Sequence, residues 1–463
     1  MAWEAEVIIA PVRSAALRLE SRLDAKYFAS PAVRVRANLS TAEGVTLRAL
    51  GSYASVTMPG RLKQVNAVPG EESIPYLRPY DVFEYFPRGT DSVSATRTTN
   101  LDDYRIRAGD LLQTRSGRNL GPLTIADEYF SGFVLSDDMV RIAIDDETDR
   151  LYTLAFLRSP LGQYLLRGDL GGSVIDHISP EQVAAIQVPF VDGLVAKVSG
   201  IVREVFSLRE DARLELARAR ASVEQALEAI DVVPLDEASP RIWTTRANGL
   251  GTRLDAAFHD DLVRQSRAKL RTNSGIRLGD VARVIKPAGR RKMIYVGKGH
   301  GQPLLSGRQL LQADVVGGKY ISERSIGKDT GFELDAGSIC FQADGRAGEG
   351  LGTPVLITSD RDGWLGSGHV GRVIPNDLSD SGWLWAAIAS SQVQSQIAAF
   401  ACGSVVDALY PEDLERILLP PRESVDSQAV IDAWGKFAQA SEREAKVVQL
   451  LADSLKIEQI TAA

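Results

Sequence analysis

Gly172-Ser173-Val174-Ile175-Asp176 followed by Pro180-Glu181, and later Gly403-Ser404-Val405-Val406-Asp407 followed by Pro411-Glu412, are one stretch met twice. The displacement is constant, since 403 − 172 = 231 and 411 − 180 = 231. It also carries Val183 onto Leu414, Ile186 onto Ile417 and Pro189 onto Pro420, so helical spacing and a closing proline recur together. Far upstream it carries Arg22-Leu23-Asp24-Ala25 onto Arg253-Leu254-Asp255-Ala256. In between, Gly132 falls on Gly363 and Arg141 on Arg372, while Ala108-Gly109 meets Ala336-Gly337 at 228, a three-residue difference that suits a loop. Self-similarity at one period over separated positions marks a duplicated domain.

The surroundings of each copy read as mixed α+β structure. Short runs at 45–47, 76–77, 111–114, 123–125 and 140–144 have strand character and are divided by turn residues. Corresponding runs lie at 281–285, 293–296, 339–342, 355–358 and 370–374. Leu154, Leu157, Leu161 and Leu165 predict one helix over 152–167, and a second is expected over 383–400. Ser179-Pro180-Glu181-Gln182 reads as a capping box with proline in the first turn.

Each copy ends in a long helical pattern. Over 192–230 small or apolar residues recur in steps of three and four, from Val195 and Val198 to Ala226 and Ile230, as a seam for another helix. Arg209 stands where a seam residue belongs. The same pattern returns over 425–460 through Ile431, Trp434, Ala438, Ala445, Val448 and Leu455. The expected order is a segment with a helix at 1–21, a first domain at 22–191 and a long helix at 192–231. A linker at 232–252, a second domain at 253–423 and a closing helix at 424–463 complete it. Two domains each followed by a long helix pack most simply with the helices as an antiparallel coiled coil with pseudo-two-fold symmetry, one domain at each end. A helix of about 36 residues spans about 54 Å, one to two turns of duplex DNA.

Bulk properties narrow the field. The chain has 463 residues, 44% of them hydrophobic, enough for several cores. Without a run of eighteen apolar residues or a basic, apolar start, neither a membrane span nor a secretory signal is expected, and the reading is cytoplasmic. Cys340 and Cys402 are the two cysteines, so no disulfide framework is expected. The net charge of −7 argues against coating nucleic acid by bulk attraction, but local basic loops decide that question.

In the order of its motifs the chain resembles the specificity subunit of type I restriction-modification systems. The resemblance rests on Arg22-Leu23-Asp24-Ala25-Lys26-Tyr27-Phe28, on Ala108-Gly109-Asp110-Leu111-Leu112 with Arg115-Ser116-Gly117, on Gly172-Ser173-Val174-Ile175, and on Pro420-Pro421. It implies a non-catalytic subunit whose two target recognition domains read a bipartite, asymmetric site on double-stranded DNA. Two copies of a DNA adenine methyltransferase subunit would bind it, with motor-nuclease subunits as further partners and no membrane. The family's Glu-Gln pair after the prolines is missing here: Pro189-Phe190-Val191-Asp192 and Pro420-Pro421-Arg422-Glu423 stand in its place.

A reader of duplex DNA needs cations for phosphates and flat donors for base edges, carried on loops and strand ends. The candidates in the first copy are Arg61, Lys63, Gln64, Arg78, Arg97, Arg115, Arg118 and Asn119. In the second they are Lys286, Arg290, Arg291, Lys292, Lys298, Arg308, Gln309, Arg346 and His369. Arg115 and Arg346 follow equivalent strands, a placement that fits either a shared contact or a structural ion pair. Arg22 with Asp24 and Arg253 with Asp255 fit better as braces of the domain entrance.

Catalytic chemistry finds little support. Asp344, Gly348, Gly350 and Gly352 imitate a cofactor loop, but such a loop needs a helix next, and Thr353-Pro354-Val355 leads into a strand. No Asn-Pro-Pro-aromatic tetrapeptide and no Gly-Lys-Ser or Gly-Lys-Thr phosphate loop occurs, and His177, His259, His300 and His369 lack zinc spacing. No cofactor or metal is expected. The competing readings are an interaction adaptor without sequence readout and a self-contained DNA-modifying enzyme.

Overall fold

The computed structural model describes residues 28, 30–60, 65–68, 70–89, 91–117, 120–168, 177–228, 244–246, 250, 253–287, 293–325, 331–346, 350–403 and 405–456. Within them one α+β unit occurs twice. Its larger sheet has the strand order Ser55–Thr57, Met139–Ala143, Leu111–Thr114, Leu123–Ile125 in the first copy, antiparallel throughout. The second copy repeats it as Ala282–Ile285, Val370–Pro375, Ile339–Gln342, Pro354–Leu356. Register repeats as well: Leu111 pairs with Ile125 and Leu112 with Arg141, just as Ile339 pairs with Leu356 and Cys340 with Arg372. The central strand carries the shift 339 − 111 = 228 and its neighbours 356 − 125 = 231 and 372 − 141 = 231. The three-residue difference therefore falls between two strands of the larger sheet, 115–122 against 343–353, outside that sheet's own ladder.

A smaller sheet completes each unit. Ser73–Leu77 lies between Asp91–Ser94, antiparallel, and Val134–Leu135, parallel. Gln302–Leu305 lies in the same way between Lys319–Ile321 and Leu365–Gly366. At the outer edge the strand Tyr295–Val296 pairs with Lys319–Ile321 in the second copy, and Asn66 bridges to Val93 at the matching place in the first.

The helix expected over 152–167 is two helices, Glu147–Arg158 and Pro160–Gly168, and the one over 383–400 is likewise Ser381–Ala389 and Ser391–Phe400. Each breaks at a serine in extended conformation, Ser159 with ψ 161° and Ser390 with ψ 150°. Pro160 explains the first break, because proline forces its predecessor out of the helical region. The second has no proline, and the serine itself does the work. Ser159 Oγ donates to Phe156 O at 2.6 Å and accepts from Gly162 N at 3.3 Å; Ser390 Oγ donates to Ala387 O at 2.6 Å and accepts from Val393 N at 3.4 Å. Such local bonds compete with the helical ladder. Glutamines finish both corners: Gln163 Nε2 donates to Leu157 O and Gly121 O, and Gln394 Nε2 to Ile388 O and Gly352 O.

The capping box at Ser179 and Gln182 forms and starts the helix Pro180–Ala184. The following strand, Gln187–Val191, pairs with Val45–Ala49 and was not foreseen, because Pro189 reads as a terminator. At the entrance of the second copy Arg253 grips Asp255 with Nε at 3.0 Å and Nη2 at 2.8 Å, as a brace would. Arg22 and Asp24 lie outside the described residues, as does the segment with a helix expected at 1–21.

The long helices are Leu194–Glu228 and Ser427–Ser454. Leu194, Val198 and Val202 at the start of the first share a core with Val447, Leu451 and Leu455 at the end of the second. Ala212, Leu216, Val223 and Leu227 near the end of the first share another with Val430, Ala433, Trp434 and Phe437 near the start of the second. The helices thus run in opposite directions, and each end of the pair is built into one α+β unit. Burying a Val, Leu or Phe side chain contributes about 1.5–3 kcal/mol, so this seam is a main source of cohesion.

The two units also touch directly, which helical spacing alone did not suggest. Tyr85 N donates to Leu311 O at 2.9 Å and Ala313 N to Phe83 O at 2.8 Å, with Glu84 opposite Gln312 in an antiparallel bridge. Tyr85 then packs against Trp434 and Phe437 with ring centroids 4.9 and 4.7 Å away.

Candidate nucleic-acid interface

Beside this bridge lies a cleft of about 340 Å³ with walls from both units. The first unit contributes Arg78, Asp81, Glu84 and Arg88, the second Arg308, Gln342, Arg346, Val405 and Val406. Four guanidinium groups from two repeats meet in one place, although they stand up to 268 residues apart by number, 346 − 78.

Local structure explains each position. Arg78 follows the strand Ser73–Leu77, and its backbone N–H donates to Asp81 Oδ2 at 2.8 Å, which fixes the turn Asp81–Phe83. Its guanidinium pairs closely with Asp91. Arg308 sits on the helix Gly307–Leu310, whose start is capped by Ser306 and Gln309. From there its Nη2 reaches Asp81 Oδ1 at 2.7 Å and ties the second unit to the first. Arg88 donates to Thr353 Oγ1 at 2.8 Å and lies 3.6 Å from Glu84, another tie between units. Arg346 follows the short pairing of Asp344–Gly345 with Asp407–Ala408 and is exposed.

The balance of charge in the cleft is positive. Burial pushes the Glu84 carboxyl up to about 7, against the pull of Arg88 and with the help of Asp81, and burial also raises Asp81. Guanidinium groups are cationic at any physiological pH, and four of them face the two carboxyls of Asp81 and Glu84. Val405 is 84% exposed and Val406 54% exposed at the rim. An apolar tip beside cations suits a groove, where thymine methyls offer apolar contact and phosphates accept charge-assisted bonds.

A second basic group lies nearby. Lys286 Nζ donates to Asp344 Oδ1 at 2.7 Å and to Leu409 O at 3.3 Å, and His369 Nδ1 meets Asp344 Oδ2 at 2.8 Å with its ring mostly exposed. Asp344 thus aligns two candidates of the second unit. Lys298 is exposed in the turn before the strand Gln302–Leu305.

Other candidates are committed within the fold. Arg97 braces its loop through Glu71, at 2.9 and 2.6 Å, and Asn66 O, and this guanidinium holds the Glu71 carboxyl well below the usual carboxylate range. Gln309 spends its amide on the helix start and on Val316 O and Gly317 O. Arg115 has a buried Nε without a hydrogen-bond partner and lies against the bridge of Ser116 with His177. Arg61, Lys63, Gln64, Arg118, Asn119, Arg290, Arg291 and Lys292 lie outside the described residues. Arg88 was missed by sequence reasoning, and nothing short of the repeat's three-dimensional junction would have picked it out.

Among the described residues no group of three or more His, Cys, Asp or Glu could hold a metal ion, and no helix is long and apolar enough to cross a membrane. Cys340 and Cys402 are free thiols.

No protein-family model matches this chain, and no curated protein matches it. Solved structures do. A type I restriction-modification system S subunit from M. genitalium is 12% identical, covering 92% of this chain and 97% of its own, with a TM-score of 0.31. The HsdS subunit from Thermoanaerobacter tengcongensis is 14% identical, covering 91% and 96%, with a TM-score of 0.27. The type IIG restriction endonuclease BpuSI is 11% identical over 42% of this chain and 30% of that one, with a TM-score of 0.29. Two of these solved structures are type I restriction-modification S subunits, and this chain is similar to them over more than 90% of its length.

Proposed function

We propose that this chain is the specificity subunit of a type I restriction-modification complex, or of a related phage defence, and reads a bipartite DNA target. The observation that carries the reading is the recurrence of one two-sheet unit, register for register, at the two ends of a pair of oppositely running helices. That arrangement supports an antiparallel coiled coil with pseudo-two-fold symmetry and domain limits near 22–191 and 253–423. Duplicated frames with different loops suit two readers of different half-sites, and a stiff helix pair suits a fixed gap between them. The arginine cleft supplies sequence-independent phosphate contact at the centre.

In this reading the protein works in the cytoplasm as a non-catalytic recognition subunit. Two adenine methyltransferase subunits dock on it, one for each half-site, with motor-nuclease subunits as further partners. Its own task is to hold double-stranded DNA so that each partner meets its adenine.

The test is binding of duplex DNA by the purified chain together with its methyltransferase. Expected is a sequence-selective complex whose affinity falls with salt, about 0.9 log units per log unit of salt for each phosphate neutralised. Binding without preference among sequences would count against it.

A second reading, an adaptor without sequence readout, is favoured by one observation. Arg78, Arg97, Arg308 and Lys286 are each already paired with a carboxylate. Selective binding excludes the adaptor, and methyl transfer by the chain alone would overturn the non-catalytic assignment.

A further inference from the structure

Arg209 occupies a seam position of the first long helix with a side chain only 3% exposed. Its Nη1 donates to Asp314 Oδ2 at 3.1 Å, and its Nη2 to Asp314 Oδ1 at 2.7 Å and Glu444 Oε2 at 2.9 Å. Arg158, in the last turn of Glu147–Arg158, adds contacts of 3.0 and 2.9 Å to Asp314 and 3.0 Å to Glu444. The four residues come from the first unit, the first long helix, the bridging loop of the second unit and the second long helix. Each carboxylate is held by both arginines. Although burial opposes it, the two guanidiniums draw the Asp314 carboxyl below its ordinary range.

The corresponding junction on the other side is built differently. The bridging loops correspond at 228, so the counterpart of Asp314 is residue 86, which is Phe86. At 231 the counterparts of Arg158 and Arg209 are Ala389 and Ala440. Phe86 stacks on Trp385 and meets Trp434 edge-on, both at 6.2 Å. The counterpart of Glu444 at 231 is Arg213, which keeps one ion pair with Asp127 and a bond to Tyr85 O. One unit is thus seated on the helices by stacked aromatics beside a single ion pair, the other by a network of four charges around the buried Arg209.

Stability does not account for this choice. Buried ion networks cost desolvation, and apolar replacements of similar volume are often as stable. What a fork of paired bonds adds is direction, because a bidentate arginine–carboxylate contact tolerates neither sliding nor tilting, whereas apolar packing can readjust.

We infer that Asp314, gripped by Arg158 and Arg209, is a positioning residue that fixes the angle of the second unit on the helix pair and thereby sets the gap between half-sites. The inference rests on the DNA-reading function proposed above. Changing a gap by one base pair moves a half-site by about 3.4 Å and turns it by about 35°, a displacement that a set of directional bonds resists.

The test uses the full chain with its methyltransferase and a duplex library in which randomised half-sites flank gaps of graded length. The wild type is expected to select one gap. Asp314→Asn should retain the selected half-sites while its preference for that gap over neighbouring gaps falls by about tenfold. Because Asp314→Asn leaves two arginines facing one acid, a second variant guards against misfolding: Arg158→Met, Arg209→Met, Asp314→Leu and Glu444→Leu together restore apolar packing. It too should broaden the gap profile, with an unchanged melting temperature. A folded variant with the wild-type gap profile, or with affinity lowered equally at every gap, overturns the inference. A wild type that selects no duplex at all overturns the DNA-reading function itself.

Discussion

Glu84 and Gln312 face each other across an antiparallel backbone bridge, and each is the other's counterpart in the repeat, since 312 − 84 = 228. A residue that pairs with its own counterpart marks where the two halves meet head-on. Glu84 is buried there, and burial pushes its carboxyl from an ordinary 4.5 up to about 7. The folded chain therefore binds this proton more tightly than the unfolded chain, and stability falls as pH rises from about 4.5 through 7. Glu84→Gln should melt in urea like the wild type near pH 4.5 and be more stable by about 2–3 kcal/mol above pH 7. An equal gain at both pH values would contradict the assignment.

Trp434 is fully buried among Tyr85, Trp385 and Phe437, yet its Nε1 has no hydrogen-bond partner. Truncation and donor removal should therefore diverge. Trp434→Ala is expected to lose about 3–5 kcal/mol in denaturant unfolding. Trp434→Phe gives up area but removes an orphaned donor, and should cost about 1 kcal/mol or less.

Arg213 carries its guanidinium from the first long helix into close contact with Asp127 and to Tyr85 O at 2.8 Å, with under a tenth of the side chain exposed. Arg213→Met strands a buried carboxylate and should cost about 3–5 kcal/mol. Adding Asp127→Leu should recover more than half of that loss in the same urea titration. No recovery would mean that the contact to Tyr85 dominates.

Arg88→Ala and Arg308→Ala test the cleft. If each guanidinium meets one phosphate, each change weakens binding to every sequence alike and lowers the salt slope by about 0.9. An altered half-site preference with an unchanged slope would place these residues at base edges instead.

Much of the frame was legible in the sequence because duplication leaves the same signal twice. The strands 111–114, 123–125 and 339–342 keep their expected limits, being short apolar runs closed by turns. The serine corners at 159 and 390 were not legible, since Leu154, Leu157, Leu161 and Leu165 keep helical spacing straight through the break. Arg209 stood out as a charge in a seam, but its partners lie 105 and 235 residues away, and no local pattern joins them. The arginine cleft was hidden for the same reason: basic loops are common, and only the meeting of two repeats brings Arg78 beside Arg308 and Arg346.

The crossed seating of the bridging loops has a thermodynamic consequence. Phe86 of the first half rests on Trp385 and Trp434 of the second, while Asp314 of the second is clasped by Arg158 and Arg209 of the first. Neither half is a finished object without its sibling. Heat should consequently dissolve both in one cooperative event, and calorimetry of the intact chain should record a single peak where two tethered modules would record two.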